Sequence, residues 1–193
     1  YRLIEDAELD ADQEARLEKV LGRQYHLITR DDRLETVAQD IVRHFLGRGM
    51  LANAVGKAMV VSIDKATALR MYDKVKKHWA EETARVQKEM GELAYQRRGG
   101  ESTPEQARRD LRVAELKQRL EVLNGTDMAL IVSPGQNEID QMKKLGLDIA
   151  PHRKRMNESQ PGLDEKFKDT ADPLRLVFVC AMWLTGFDAP SCS

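Results

Sequence analysis

Near its carboxyl-terminal end the chain carries Thr185-Gly186-Phe187-Asp188, directly after a run of apolar residues. A hydroxyl, a glycine and a carboxylate in that order suit a nucleotide. Backbone N–H groups and the Thr185 hydroxyl can hold an anionic phosphate, and Gly186 admits a ligand closely because it lacks a Cβ. Asp188 suits a ribose hydroxyl or a cation. The same four residues equally suit a plain strand-to-loop turn, with glycine supplying φ > 0 and aspartate as an ordinary turn residue. Ser62 and Ser133 hold comparable positions, each at or near the end of an apolar run. Trp183 and Phe187 have faces on which a base can stack, but at a strand end they read as core.

Other chemistries fall away. Gly56-Lys57 lacks the upstream glycine and the following Ser or Thr of a GxxxxGK[ST] phosphate-binding loop. No acidic DExx-type box follows a strand, so the chain cannot by itself place Mg²⁺ and the attacking water for ATP hydrolysis. There is no GxSxG elbow and no HExxH, and His26, His44, His78 and His152 show no metal-ligand spacing. "HRKR" (152–155) is basic enough to grip phosphates, but its Pro-flanked polar surroundings read as a solvated loop. Net charge is −1, which announces no global field for nucleic acid. No apolar run reaches the ~20 residues of a membrane span. Cys180, inside a strand, reads as a small buried hydrophobe, and with Cys192 forms no CxxC, as expected of a cytoplasmic protein.

The elements that must position these residues follow from periodicity. "RLETVAQDIVRHFLGRG" (33–49) has Leu34, Val37, Ala38, Ile41, Val42 and Phe45 at helical spacing, with Asp31 or Asp32 as N-cap and Gly47 or Gly49 as stop. "KAMVVSI" (57–63), "MALIVS" (128–133) and "LRLVFVCAMW" (174–183) are continuous apolar runs of the kind a parallel strand buried on both faces requires. Asp64 caps a long helix whose seam is Tyr72, Val75, Trp79, Thr83, Val86, Met90 and Leu93. After a Gly-Gly break, Thr103-Pro104-Glu105-Gln106 opens a second helix with the seam Val113, Leu116, Leu120 and Leu123, ended by Asn124-Gly125. Together they predict an antiparallel helical hairpin over about 65–125. Its charges read as a solvated face, with Glu81/Arg85 and Glu115/Arg119 among pairs worth ~0.2–0.5 kcal/mol each. "PGQNEIDQMKKLG" predicts a short helix. Strands alternating with helical crossovers give an α/β fold with a parallel sheet, whose ligands gather at the carboxyl ends of the strands.

Two stretches carry a resemblance. "KFKDTADPLRLVFVCAMWLTGFDAPSCS" (166–193) resembles the motif V region of the motor (R) subunit of type I restriction enzymes, where a strand leads into Met-X-Leu-Thr-Gly-Phe-Asp-Ala-Pro. "RLETVAQDIVRHFLGRGMLANAVGKAMVVSIDKATALRMYDKV" (33–75) resembles the entry to the second RecA-like lobe of the same subunits, where Gly-Lys-Ala-Met begins motif IV. The stretch between, about 65–127, matches nothing by motif and reads as a helical insertion.

The resemblance implies residues 1–48 as a helical linker entering the lobe and 49–193 as a truncated RecA-like lobe 2 of a superfamily 2 motor. It implies a double-stranded-DNA translocase and endonuclease in the parent protein, driven by ATP and Mg²⁺ whose main binding residues are elsewhere. Gly186 and Asp188 would lie against ATP, Thr185 would touch DNA or relay to the nucleotide, and Ser62 and Ser133 would contact phosphates of the tracked strand. It implies methyltransferase and specificity subunits as partners. The arginine finger of motif VI and the nuclease carboxylate–lysine cluster do not occur here, so the chain is expected to hold no catalytic or metal-binding residue and to be inactive alone. It opens on Tyr1 and closes on "APSCS", which reads as a piece of something longer. Two other functions fit the residues: a RecA-like interaction scaffold, or a superfamily 2 remodeller that acts on DNA without cutting.

Overall fold

The computed structural model describes residues 22–51, 56–95 and 104–180. A short helical segment, 22–28, leads into α1 (Asp31–Leu51). Then come β1 (Ala58–Ser62), α2 (Lys65–Tyr95), α3 (Pro104–Asn124), β2 (Asp127–Ile131), α4 (Glu138–Lys144), α5 (Ala150–Glu158), α6 (Leu163–Lys168) and β3 (Leu174–Cys180). The three strands are parallel in the order β1-β3-β2. This is a mixed α/β arrangement with a small sheet and mostly helices.

The sheet has two apolar faces because successive side chains of a strand alternate. Leu176 and Phe178 of β3 join Met128 and Leu130 of β2 in the larger core, with Leu34, Ala38, Val42 and Leu46 from α1 and Val75, Trp79 and Val86 from α2. Val177 and Val179 join Ala129 and Ile131 on the opposite face, covered by Leu163 and Phe167 of α6. β3 is the buried strand that the apolar runs lead one to expect. β1 is not: it lies at a sheet edge among the described residues, and Val61 is 47% exposed. A short apolar run cannot distinguish an edge strand from a central one, since only the sheet order decides which strand is flanked.

Helix boundaries differ from expectation in instructive ways. The Leu34 N–H bonds the Arg30 carbonyl, so Arg30 opens α1 and Asp31 and Asp32 lie in its first turn, where the helix dipole favours them. Gly47 does not stop α1, which runs to Leu51, and Val37 faces outward. Asp64 caps α2 as expected: its Oδ1 accepts the Thr67 N–H at 2.6 Å. Pro104 begins α3, and Gly125 follows its last residue with its N–H on the Glu121 carbonyl at 2.8 Å. A Cβ at Gly125 would sit 2.9 Å from that carbonyl oxygen, which is why the stop needs glycine.

α2 and α3 run antiparallel. The Trp79 Nε1–H donates to the Leu123 carbonyl at 3.0 Å, while Arg119 pairs with Glu82 and Arg112 with Glu89. The intrahelical pairs Glu81/Arg85 and Glu115/Arg119 are replaced by other partners. Arg85 bonds Glu82 and Glu89, Glu115 bonds Arg112, and Glu81 bonds His78. Glu82 and Glu89 each meet an arginine of both helices, while Glu81 and Glu115 pair three residues back within their own helix.

Between α1 and α2, Glu35 accepts bonds from Lys74 and Lys77, both at 2.8 Å. These two bonds, Lys74 first, hold its carboxyl down at about 2, against an ordinary value of 4.5. A lowered carboxyl pKa contributes stability above about pH 4.5 that disappears as pH falls through 2. Glu35→Gln therefore flattens the loss of thermal stability across that acid window, as read by melting curves at a series of pH values.

Candidate functional site

Three parallel strands bring their carboxyl ends to one rim. Ser62 of β1 is level with Cys180 of β3, and Ile131 of β2 with Val179. Ser133 follows two residues after β2 and is partly exposed, as is Ser62. Because β3 is central, Ser62 and Ser133 lie on either side of its carboxyl end, which precedes Thr185, Gly186 and Asp188 in the sequence. Those three residues, with Trp183 and Phe187, lie outside the described residues.

The rim between the serines is built of charge. Lys65, the first residue of α2, places its Nζ 3.9 Å from Glu138 Oε2, across from β1 to the segment after β2. Gly135 makes room for it: a Cβ there would meet Lys65 Nζ at 3.1 Å and Glu138 at 3.5 Å. Glu138 is buried, and Arg153 of α5 grips both its oxygens, Nε at 2.6 Å and Nη2 at 2.9 Å. The same guanidinium donates to the Val132 carbonyl at 3.1 Å and the Ser133 carbonyl at 3.0 Å. The segment that carries Ser133 is thus tied at its backbone.

Lys65 and the two serine hydroxyls are groups of the kind that donate to an anion. Among the described residues no group of three or more His, Cys, Asp or Glu is placed to hold a metal ion. No described helix is long and apolar enough to cross a membrane. Cys180 is half-buried rather than buried, its Sγ 3.8 Å from the Ile63 carbonyl, because it stands at the last position of the strand. Burial, aided by Asp64, raises its thiol pKa.

His152–Arg155 is not a loop: all four residues lie in α5. His152 packs edge-on against Tyr72 with ring centroids 4.5 Å apart, and burial lowers its pKa. Arg155 pairs with Asp127 and donates to the Met128 carbonyl at 2.8 Å. Arg155 therefore caps a carbonyl of β2, and Arg153 two carbonyls of the segment that follows it. Only Lys154 of the four is largely exposed, its side chain at 73%. The two arginines are spent on the fold rather than on phosphate.

Lys57 is at the other end of the sheet, next to the amino-terminal end of β1. Its Nζ donates to the carbonyls of Lys166 at 2.8 Å, Asp172 at 3.3 Å and Leu174 at 2.9 Å. It stands 5.5 Å from the centroid of Phe167. Gly56-Lys57 is thus a structural plug, remote from the rim that ligands would use. Lys65 and Glu138 are the rim residues that sequence reasoning missed, and Arg153 was read only as part of a solvated basic loop. A lysine at the first helical position after a strand was the one signal available.

With this geometry, similarity to known proteins becomes informative. The chain is 24% identical over 181 residues to a putative type I restriction enzyme MjaIXP endonuclease subunit of Methanocaldococcus jannaschii, covering 94% of this chain and 12% of that protein. It is 61% identical over 31 residues to the type I restriction enzyme HindI endonuclease subunit of Haemophilus influenzae, covering 16% of this chain and 3% of that protein. The chain is similar to type I restriction endonuclease subunits. It spans only about an eighth of the first relative's length. No protein-family model matches it, and no solved structure does.

Proposed function

We propose that this chain is part of the second RecA-like lobe of the ATP-dependent double-stranded-DNA translocase and endonuclease subunit of a type I restriction enzyme. The observation that carries the assignment is the similarity over 94% of the chain to an endonuclease subunit of that class. The parallel sheet, with its two serines flanking the exit of the central strand, supports it. In this assignment Ser62 and Ser133 contact backbone phosphates, which a motor must hold without reading sequence. Thr185 touches DNA or relays to the nucleotide, and Gly186 and Asp188 face ATP when the lobes close. The α2–α3 pair is an insertion in the lobe. ATP and Mg²⁺ are held chiefly by residues of the parent protein outside this chain. The partners are double-stranded DNA and the methyltransferase and specificity subunits, in the cytoplasm.

The test is ATP hydrolysis by the parent protein with its partner subunits, with and without double-stranded DNA, beside Asp188→Ala. The expected result is DNA-stimulated turnover that falls by about 10²-fold in the variant, the scale of removing one preorganised polar contact to a reacting group. The isolated chain is expected to hydrolyse no ATP. Absence of turnover in the intact parent would sink the motor and leave the interaction scaffold. Turnover without DNA cleavage would favour a remodeller.

A further inference from the structure

The helical segment 22–28 reaches the start of α2 through one of its side chains. Tyr25 donates its hydroxyl to Asp64 Oδ2 at 2.6 Å, across 39 residues of sequence. The other oxygen of that carboxylate accepts the Thr67 N–H, also at 2.6 Å. Asp64 stands two residues after Ser62 and directly before Lys65, so one side chain sets the turn that carries both. We propose that Tyr25 is a positioning residue, by which the segment preceding α1 locks the capping aspartate of α2 and so holds Ser62 and Lys65 in place at the rim.

Three observations support the lock. An O–H donating to a carboxylate is among the stronger hydrogen bonds, and the two bonds to Asp64 fix the carboxylate in one orientation. The Asp64 bond also raises the Tyr25 pKa, as expected of a phenol donating to a carboxylate. The tyrosine itself is held from behind: its carbonyl accepts both the Thr29 N–H at 2.9 Å and the Thr29 hydroxyl at 2.8 Å. The rest of the segment is loosely anchored, with Leu27 58% and Ile28 42% exposed. A segment with so little buried area is the kind that opens locally without unfolding the domain. Movement of the chain that enters the domain would then reach the rim through the Tyr25–Asp64 hydrogen bond.

The consequence for DNA rests on the function proposed above; the lock itself does not. Amide hydrogen exchange of the chain tests the lock in Tyr25→Phe, Asp64→Ala and the double variant. The expected result is ~3–10-fold faster exchange over residues 64–68 in Tyr25→Phe, the scale of one net hydrogen bond. β3 should keep its protection, and Tyr25→Phe should add nothing in the Asp64→Ala background. Unchanged exchange over 64–68, equal acceleration with Asp64 removed, or acceleration that includes β3 would each overturn it. Should Asp64→Ala fail to fold, Tyr25→Phe alone decides by the contrast between 64–68 and β3. In the parent complex, Tyr25→Phe is expected to raise the DNA concentration for half-maximal ATP turnover by ~3–10-fold, more than it changes the maximal rate. An unmoved half-saturation point overturns the coupling to DNA. A parent without DNA-stimulated turnover refutes the function and leaves the exchange result standing.

Discussion

Arg153→Ala is expected to lower the melting temperature of this chain by roughly 6–12 °C. Its guanidinium makes two bonds to Glu138, two to backbone carbonyls just after β2 and one to Met156 Sδ at 3.7 Å. All five N–H directions of the side chain are therefore used. The partner carboxylate is 8% exposed and the arginine 16%, so truncation leaves a buried charge with only Lys65 near it, at 3.9 Å. Breaking one side of such a pair costs about 3–5 kcal/mol, and at 2–4 °C per kcal/mol for a chain of this size the lower figure gives the stated shift. Replacing both partners, Arg153→Met with Glu138→Leu, is expected to recover much of the loss, because the stranded charge goes too. Thermal melts of the three variants check this. A single-variant shift under about 2 °C would mean that water reaches Glu138 and screens it.

Lys57→Ala has the second large expected effect, about 3 kcal/mol of destabilisation, from the volume lost and three carbonyls left without a donor. Lys57→Met keeps the stem and separates the two causes. The charge also gives a pH signature. Burial lowers the Lys57 pKa below 10.5, with Asp172 and Asp169 opposing. The charged form is thus disfavoured in the folded state, so this group makes stability rise as pH climbs toward 10.5. The stability deficit of Lys57→Met relative to the native chain should therefore widen as pH rises over that alkaline range. Tyr25, Tyr72, Lys74 and Lys77, whose raised pKa values act in the opposite sense, cancel in the difference. A pH-independent difference would show that Lys57 stays fully charged at its carbonyl cradle.

The elements that could be read from the sequence were those that bury an apolar stripe. α2 and α3 announced themselves through Val75, Trp79, Val86, Leu116 and Leu123, all buried. β3 announced itself as an unbroken apolar run, and its residues 176–179 are fully buried. α5 gave no such signal because it buries no residue at all; Arg153 and Arg155 hold it instead, and a basic run reads the same in a loop as in a helix. α6 had a signal, Leu163 and Phe167 four apart, but it is only six residues long and lay within a polar stretch.

The candidate site divides along the same line. Ser62 and Ser133 could be named from the sequence because each stands at or just past the end of an apolar run, and strand ends are where parallel sheets present ligands. Their convergence on one rim was decided by the order β1-β3-β2, which puts the last strand in the chain between the first two. The pairing of Lys65 with Glu138 and Arg153, the plugging of Lys57 into three carbonyls and the lock of Tyr25 on Asp64 also belong to tertiary structure alone. Hydrophobic periodicity is a local property, since it reports how a short segment meets an apolar face. A buried charge finds its partner across 15 to 117 residues, and only the packed chain brings the two together.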